Sequence, residues 1–379
     1  MVKLTKLQQE NREKCISFAD KHVNNTINSR DKSNHFEKSI WIKCSELNLH
    51  GIFVPDQYGG LDYTLADGMS FLESAGFAIR DNGLTFALTA QLTSCTYSIN
   101  KSGSENIKQQ YLPGIVKGEI ILAHAISENS SGSDAFHMKS QYVRNDNSDL
   151  YEIKGYKTYC TNLPVADYVL AYINKADKSN SKLISTAFVI PQTELNHLEN
   201  IDKMGLNTCK MGRGHINVSV KADQLVGKEG SGLAMFQDAI MHERIGMSAL
   251  HLGTIERILF EAIKWTNTRM TGGKPLASKQ AVTHPLVNIH NEWITLRSFL
   301  YTLTSSNLSF AKQYLQASIL KDRVSELYVN ATTKILQIYG GLGYSKEHEI
   351  ERMVRDALAS KIYSGTSEIQ KEIVWKYIS

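Results

Sequence analysis

A chain of 379 residues exceeds the usual size of one domain, and 42% hydrophobic with 21% charged residues is enough to bury a core, which excludes a disordered chain. Its 42 basic against 38 acidic residues leave a net charge of +4, too mild for a nucleic-acid footprint and compatible with an acidic partner. Five scattered cysteines (Cys15, Cys44, Cys95, Cys160 and Cys209) form no Cys-x-x-Cys pair, the opening residues carry no apolar leader, and no run approaches the roughly 20 apolar residues of a spanning helix, so the expectation is a soluble, cytoplasmic protein with reduced thiols.

Residues 1–119 read as an all-helical unit. Leu4, Leu7, Ile16 and Phe18 recur at spacings nearer 3.6 than 2, and Phe36, Ile40, Trp41, Cys44 and Leu47 make a clearer amphipathic face. Breakers cluster at 54–60, a helical run resumes near Leu65, and 84–99 is apolar enough for a buried helix stopped by Gly103. A further helix opens at Ser104 and closes at Pro113-Gly114. The texture changes near Glu119, and residues 120–228 read as a small β unit. A short apolar run spans 120–126, and 141–143 and 151–153 flank the turn-rich stretch 145–149, a hairpin pattern. Runs at 168–173 and 186–190 come next, then strict alternation over 216–220.

Residues 229–379 return to helices: one from Leu233 to a break at 272–275, then 279–310, 315–339 and 366–377, a four-helix-type bundle. The fold class is α+β and multidomain, in the uncommon order helices, strands, helices. The glycine-rich stretch 227–232 lacks both the Lys-Ser/Thr pair of a P-loop and the dinucleotide spacing, so it reads as a lead-in to a helix. His242-Glu243 begins like a zinc helix, but Gly246 stands where the second histidine is needed, and no metal site is expected. Met235, Met241 and Met247 read as core filler.

Five separated segments carry more specific chemistry. Residues 125–134 are rich in hydroxyls and include Gly132, a glycine that lets backbone amides approach a ligand closely. Residues 155–162 combine Tyr159 with Thr161, residues 265–276 contain Arg269, a group suited to paired phosphate oxygens, and Gln280 comes just after. Residues 337–344 hold Gly340-Gly341, and 362–370 read Ile-Tyr-Ser-Gly-Thr-Ser-Glu-Ile-Gln. In this order, over essentially the whole chain, they resemble the acyl-CoA dehydrogenase family of flavoenzymes. Ser127 stands where that family usually has Thr, Asn129 where it has Pro, and Gly272 where it has Phe.

The resemblance implies FAD as cofactor. It implies that His124, Ile126, Ser127, Gly132, Ser133, Tyr159 and Thr161 surround the flavin. By the same resemblance Arg269, Thr271, Gln280, Gln337, Gly340, Gly341, Thr366 and Glu368 reach its pyrophosphate and adenosine, partly across a subunit boundary. A homo-oligomer, usually a tetramer, is implied with it.

In the family's C-terminal signature a glutamate removes the proton alpha to a thioester carbonyl, and here that position is Ser364. A neutral hydroxyl does not accept that proton near neutral pH, so either the chemistry is lost or the base sits elsewhere. Glu243, directly before Arg244, lies where members acting on branched or long acyl chains carry an alternative glutamate, and is the candidate catalytic base. The same Glu-Arg pair occurs in members that keep the usual glutamate, so a structural role stays open. Ser133, Met241, Arg244 and Ser364 are the expected substrate contacts.

This combination is similar to the branch that oxidises L-prolyl thioesters on peptidyl carrier proteins in natural-product pathways, with an acyl or peptidyl carrier protein bearing the phosphopantetheine thioester as partner. A short or branched-chain acyl-CoA dehydrogenase and a catalytically silent flavoprotein that docks carrier proteins are the alternatives.

Overall fold

A reciprocal cap starts the first helix: the Gln8 amide donates to the Thr5 hydroxyl and the Thr5 amide to the Gln8 side chain. In this computed structural model, which describes residues 3–145, 148–176 and 184–379, the N-terminal helices are α1 (Lys6–His22), α2 (Ile27–Lys32), α3 (Lys38–Lys43) and α4 (Leu65–Ala78). Asp81 caps α5 (Asn82–Ala90), whose axis continues through a π-helical turn, Gln91–Thr96, into α6 (Tyr97–Ser102). The single buried helix expected over 84–99 is therefore interrupted by a wider turn. Ser104 caps α7 (Glu105–Val116), which runs past the expected stop at Pro113-Gly114. Proline there removes one backbone donor in the last turns, and burial of Ile115 and Val116 outweighs it.

The middle unit is one mixed sheet. Its strands are β1 (Leu122–Ala125), β2 (Gln141–Asn145), β3 (Leu150–Thr161), β4 (Tyr168–Lys175), β5 (Ser185–Pro191), β6 (Leu195–Asn200), β7 (Met211–Lys221) and β8 (Leu225–Val226). They lie in the order β6-β7-β3-β2-β4-β5-β8, with β1 parallel to β4. β2 and β3 form the expected hairpin, with Gln141 opposite Lys154; Asp146 and Asn147 of its turn lie outside the described residues. β6 has no counterpart among the sequence expectations because only Leu195 of its six residues is buried, as befits an edge strand. Between Lys157 and Cys160 the β3–β7 register shifts, and Tyr159 takes a φ of 55°.

Helices then return: α8 (Gly232–Thr268), a short ribbon of β9 (Met270–Thr271) and β10 (Lys274–Pro275), α9 (Gln280–Ser305), α10 (Phe310–Tyr339), α11 (Gly341–Tyr344), α12 (Ile350–Ala359) and α13 (Ser367–Ile378). The helix expected over 279–310 stops at Ser305, and Phe310 belongs to the next one. Ser306 and Ser309 take extended backbone between them.

Helix α8 is the spine against which α4, α9 and α10 pack. At its crossing with α4 the backbones nearly touch: a Cβ on Gly76 would lie 2.0 Å from the Leu250 carbonyl oxygen, and one on Gly253 1.9 Å from that of Glu73. Glu73, 1% exposed, accepts from Arg297 at 2.7 and 3.1 Å and from the Tyr301 hydroxyl at 2.6 Å, which ties α4 to α9. No helix among the described residues is long and apolar enough to cross a membrane, and all five cysteines are buried and unpaired.

Candidate active site

Ser364 and Gly365, in the loop before α13, take consecutive left-handed conformations with φ of 56° and 86°. A non-glycine residue holds such a conformation where its surroundings over-determine it. The Ser364 carbonyl accepts from Arg244 Nε at 3.1 Å and Gln370 Nε2 at 3.1 Å. The Gly365 carbonyl accepts from Lys321 Nζ at 2.7 Å and Gln370 Nε2 at 2.9 Å. This scaffold aims the Ser364 hydroxyl at α8, where it donates to Glu243 Oε1 at 2.5 Å. The other oxygen, Oε2, accepts from the Ser94 hydroxyl of the π-helical turn.

Glu243 is 7% exposed. Burial pushes its carboxyl above the ordinary range, while bonds from Ser364 and Ser94 and the charges of Arg244 and Lys321 pull it back without cancelling the rise. Burial likewise lowers the Lys321 ammonium to about 8, helped by the charge of Arg244. The arrangement is a partly destabilised carboxylate held on two hydroxyls, a form suited to taking up a proton.

Of the expected substrate contacts, Met241, Arg244 and Ser364 fall in this neighbourhood. Met241 is buried in the core. Arg244 donates to the Ser364 carbonyl and, at 3.1 Å, to the Ser318 hydroxyl, and its guanidinium lies 4.8 Å over the Tyr314 ring. Its place is under the loop. Ser133 is instead exposed, beside Gly132, in the loop after β1.

The first group of expected cofactor residues gathers where the loop after β1 meets the end of β3. His124 lies on β1, Ile126 and Ser127 come directly after it, and the Ser127 carbonyl accepts from the Thr158 amide at 2.9 Å, joining this loop to β3. Underneath, the fully buried Lys157 donates to Glu128 Oε1 at 2.9 Å and to the Ile126 carbonyl at 3.1 Å, and Glu128 also accepts from the Ser140 amide at 3.0 Å. That anchor escaped the sequence reading. Its signal is a lysine flanked by strand-formers, paired with a glutamate 29 residues earlier. Tyr159 stands out from the bulge at 63% exposure, with Thr161 half-buried at the strand's end. His124 Nε2 and Ser131 Oγ are buried without a hydrogen-bond partner among the described residues. An uncovered aromatic face, small hydroxyl residues and unmatched polar atoms fit a planar heteroaromatic group with a polar edge.

The second group lies on an exposed face. Arg269 stacks 5.8 Å over Trp265, which stacks in turn on Tyr339 at 5.0 Å, so the segments around Arg269 and around Gly340 meet. Thr271 is on β9, Gln280 opens α9, and both are exposed, as are Gln337, Gly340, Gly341 and Glu368. Thr366 caps α13, accepting from the Ile369 amide at 3.4 Å. Among the described residues no hydrogen bond or ring contact joins this group to the first.

Two further residues escaped the sequence reading. Ser94 sits in a run of small hydroxyl residues within an otherwise apolar helix, a weak signal. The signal for Lys321, also missed, is a lysine spaced among Ala317, Leu320 and Val324 on what proves to be the buried face of α10.

Residues 5–119 match the acyl-CoA dehydrogenase N-terminal domain, 123–218 its middle domain and 230–378 its C-terminal domain. The chain is 28% identical over 371 residues to the short-chain-specific acyl-CoA dehydrogenase of Megasphaera elsdenii, covering 97% of this chain and 96% of that one. Among solved structures, the prolyl acyl carrier protein oxidase AnaB superposes over 100% of both chains with a TM-score of 0.93 and 32% identity. PigA with FAD and proline superposes over 100% of this chain and 99% of that one, with a TM-score of 0.92 and 26% identity. Three domains in register along one chain leave a single assignment: it belongs to the acyl-CoA dehydrogenase family, flavin-dependent oxidoreductases that act on acyl thioesters.

Proposed function

We propose that the protein is an FAD-dependent dehydrogenase that oxidises the α,β bond of L-proline carried as a thioester on a peptidyl carrier protein, with Glu243 as the base. The observation that carries the reading is the 2.5 Å contact between Glu243 Oε1 and the Ser364 hydroxyl. It sets a buried acidic group beside the position from which the family's usual base works. Bound FAD supplies the acceptor, at N5, for the hydride that leaves with the alpha proton. His124, Ile126, Ser127, Gly132, Ser133, Tyr159 and Thr161 hold its ring. Arg269, Thr271, Gln280, Gln337, Gly340, Gly341, Thr366 and Glu368 hold the phosphate and adenosine half.

Glu243 accepts the alpha proton. Its buried setting keeps water from competing for that position and raises its proton affinity toward that of a weak carbon acid. Arg244 and Lys321 keep the Ser364–Gly365 turn in place, so the carboxylate is steered without being locked in an ion pair. Exposure of the second cofactor group supports a second copy of the chain completing the site, in a homotetramer; a cytoplasmic location is part of the same proposal. The likeness to AnaB and PigA favours prolyl carrier protein. The likeness to the Megasphaera enzyme favours the second reading, a short or branched acyl-CoA as substrate.

Incubating the FAD-loaded protein with prolyl-loaded carrier protein and, separately, with a panel of acyl-CoAs decides between them. Bleaching of the flavin and a mass loss on the prolyl thioester is the expected result. Bleaching by an acyl-CoA alone establishes the second reading, and bleaching by neither marks a silent docking protein.

A further inference from the structure

Glu243 receives a second hydroxyl, from a segment outside the five that carry the family resemblance. Helix α5 would present its residues at a steady 100° each if it ran on unbroken. The π-helical turn at Gln91–Thr96 adds a residue to that path and re-aims the side chains beyond it. The turn is pinned from outside. Gln91 Oε1 accepts from the Leu122 amide at 2.7 Å, fixing the turn to β1, and the Thr93 hydroxyl donates back to the Thr89 carbonyl at 2.7 Å. It is also admitted by α8, since the space a Cβ on Gly246 would need is 3.0 Å from Thr93 Cγ2. Glycine one turn after Glu243 lets the two helices close, and the Ser94 hydroxyl then reaches Oε2 while Ser364 reaches Oε1.

We propose that Ser94 is a positioning residue for Glu243, and that with Ser364 it grips the two carboxylate oxygens from opposite sides so that the group keeps its plane through a change of protonation. A hydroxyl both donates and accepts, so when one carboxylate oxygen takes up a proton its serine partner rotates and accepts from it. An ammonium or guanidinium in the same place only donates and would hold the carboxylate ionised. The titratable and charged groups close enough to interact electrostatically with Glu243 are Arg244 on its own helix, Lys321 from α10, Cys95 from the π-helical turn, Tyr172 from β4 and Tyr363 from the loop before α13. Only Arg244 and Lys321 among them favour the ionised acid. Removing one serine therefore leaves burial less opposed.

The inference rests on Glu243 being the base, and the test separates the two. A double-mutant cycle of Ser94→Ala and Glu243→Gln, read by urea unfolding of the full chain, needs no substrate. A coupling of about tenfold in the unfolding constant at pH near 8, fading as the medium turns acidic enough to protonate Glu243, is expected. With prolyl-loaded carrier protein or butyryl-CoA, whichever bleaches the parent, the acid limb of flavin reduction in Ser94→Ala moves up by about one pH unit, because one hydrogen bond to the charged form is gone. Ser94→Thr and Ser94→Val have nearly the same shape, and only the threonine is expected to return the limb toward the parent's. An unshifted limb and absent coupling overturn the clamp alone. Undiminished reduction in Glu243→Gln overturns the base reading and the clamp with it.

Discussion

Ser364 Oγ and Glu243 Oε1 stand 2.5 Å apart although 121 residues separate them in the chain. The loop before α13 and the spine helix α8 thus address one point in space, and a carboxylate delivered by either would occupy it. Glu243→Gln keeps the shape, exchanges one of the two serine-bonded oxygens for an amide NH2 and removes the proton acceptor. Reduction of the flavin by the thioester should fall by about 100- to 10,000-fold, with FAD content unchanged. Anaerobic stopped-flow absorbance measures the first quantity and the visible spectrum the second.

The same substitution should stabilise the protein, and its pH dependence has a definite sign. Burial raises the Glu243 carboxyl in the folded state above its ordinary value of 4.5. Between those two values the folded chain holds a proton that the unfolded chain has released, so the parent loses stability as pH rises through that window and stays penalised above it. Glu243→Gln carries no such penalty. Its melting temperature should exceed the parent's at pH near 8, and the gap should close as pH falls toward the ordinary carboxylate range; scanning calorimetry across pH measures it.

The three-unit order was legible because each unit carries its own periodicity, and the alternation at 216–220 falls inside the eleven-residue strand β7. Breaks set by a single backbone choice were not legible. Pro113 looks like a stop until Ile115 and Val116 are seen buried beyond it, and Ser306 does not announce the gap that ends α9. At the site, Glu243 could be named because Glu-Arg is a local pattern. Ser94 could not, because its role depends on a π-helical turn and on Gly246 of another helix, neither of which leaves a periodic trace.

Lys321 offers a second pH signature with the opposite direction. Its ammonium is lowered from 10.5 to about 8 by burial. Below that folded value the buried charge weighs against the folded state. As pH rises from about 8 toward 10.5 the folded chain sheds the proton first and the penalty is relieved. Relative to Lys321→Met, the parent should therefore gain stability over that range. The methionine variant also deprives the Gly365 carbonyl of its 2.7 Å donor, leaving Gln370 to hold it. A loss of about 1 kcal/mol at neutral pH, offset in part by removal of the buried charge, is expected from urea unfolding.

Two glycines on α8 should respond to alanine in different ways, because different atoms stand in the new methyl's path. At Gly253 the obstacle is the backbone carbonyl of Glu73 at 1.9 Å, part of a helix with no room to retreat, since Glu73 is itself bonded to Arg297 and Tyr301. Gly253→Ala should separate α4 from α8 and destabilise the chain by about 3 kcal/mol or more. At Gly246 the nearest atoms are side-chain methyls, Thr93 Cγ2 at 3.0 Å, Leu72 Cδ1 at 3.3 Å and Thr89 Cγ2 at 3.4 Å. These yield by a few tenths of an ångström, so Gly246→Ala should cost only about 1 kcal/mol in unfolding free energy. Its effect on turnover should be disproportionate, because the displaced Thr93 draws Ser94 away from Glu243 Oε2. The expected outcome is a nearly parental melting temperature with an acid limb of flavin reduction shifted in the same direction as in Ser94→Ala. A Gly246→Ala protein with an unmoved limb would mean that the π-helical turn tolerates the methyl without giving up its grip on the carboxylate.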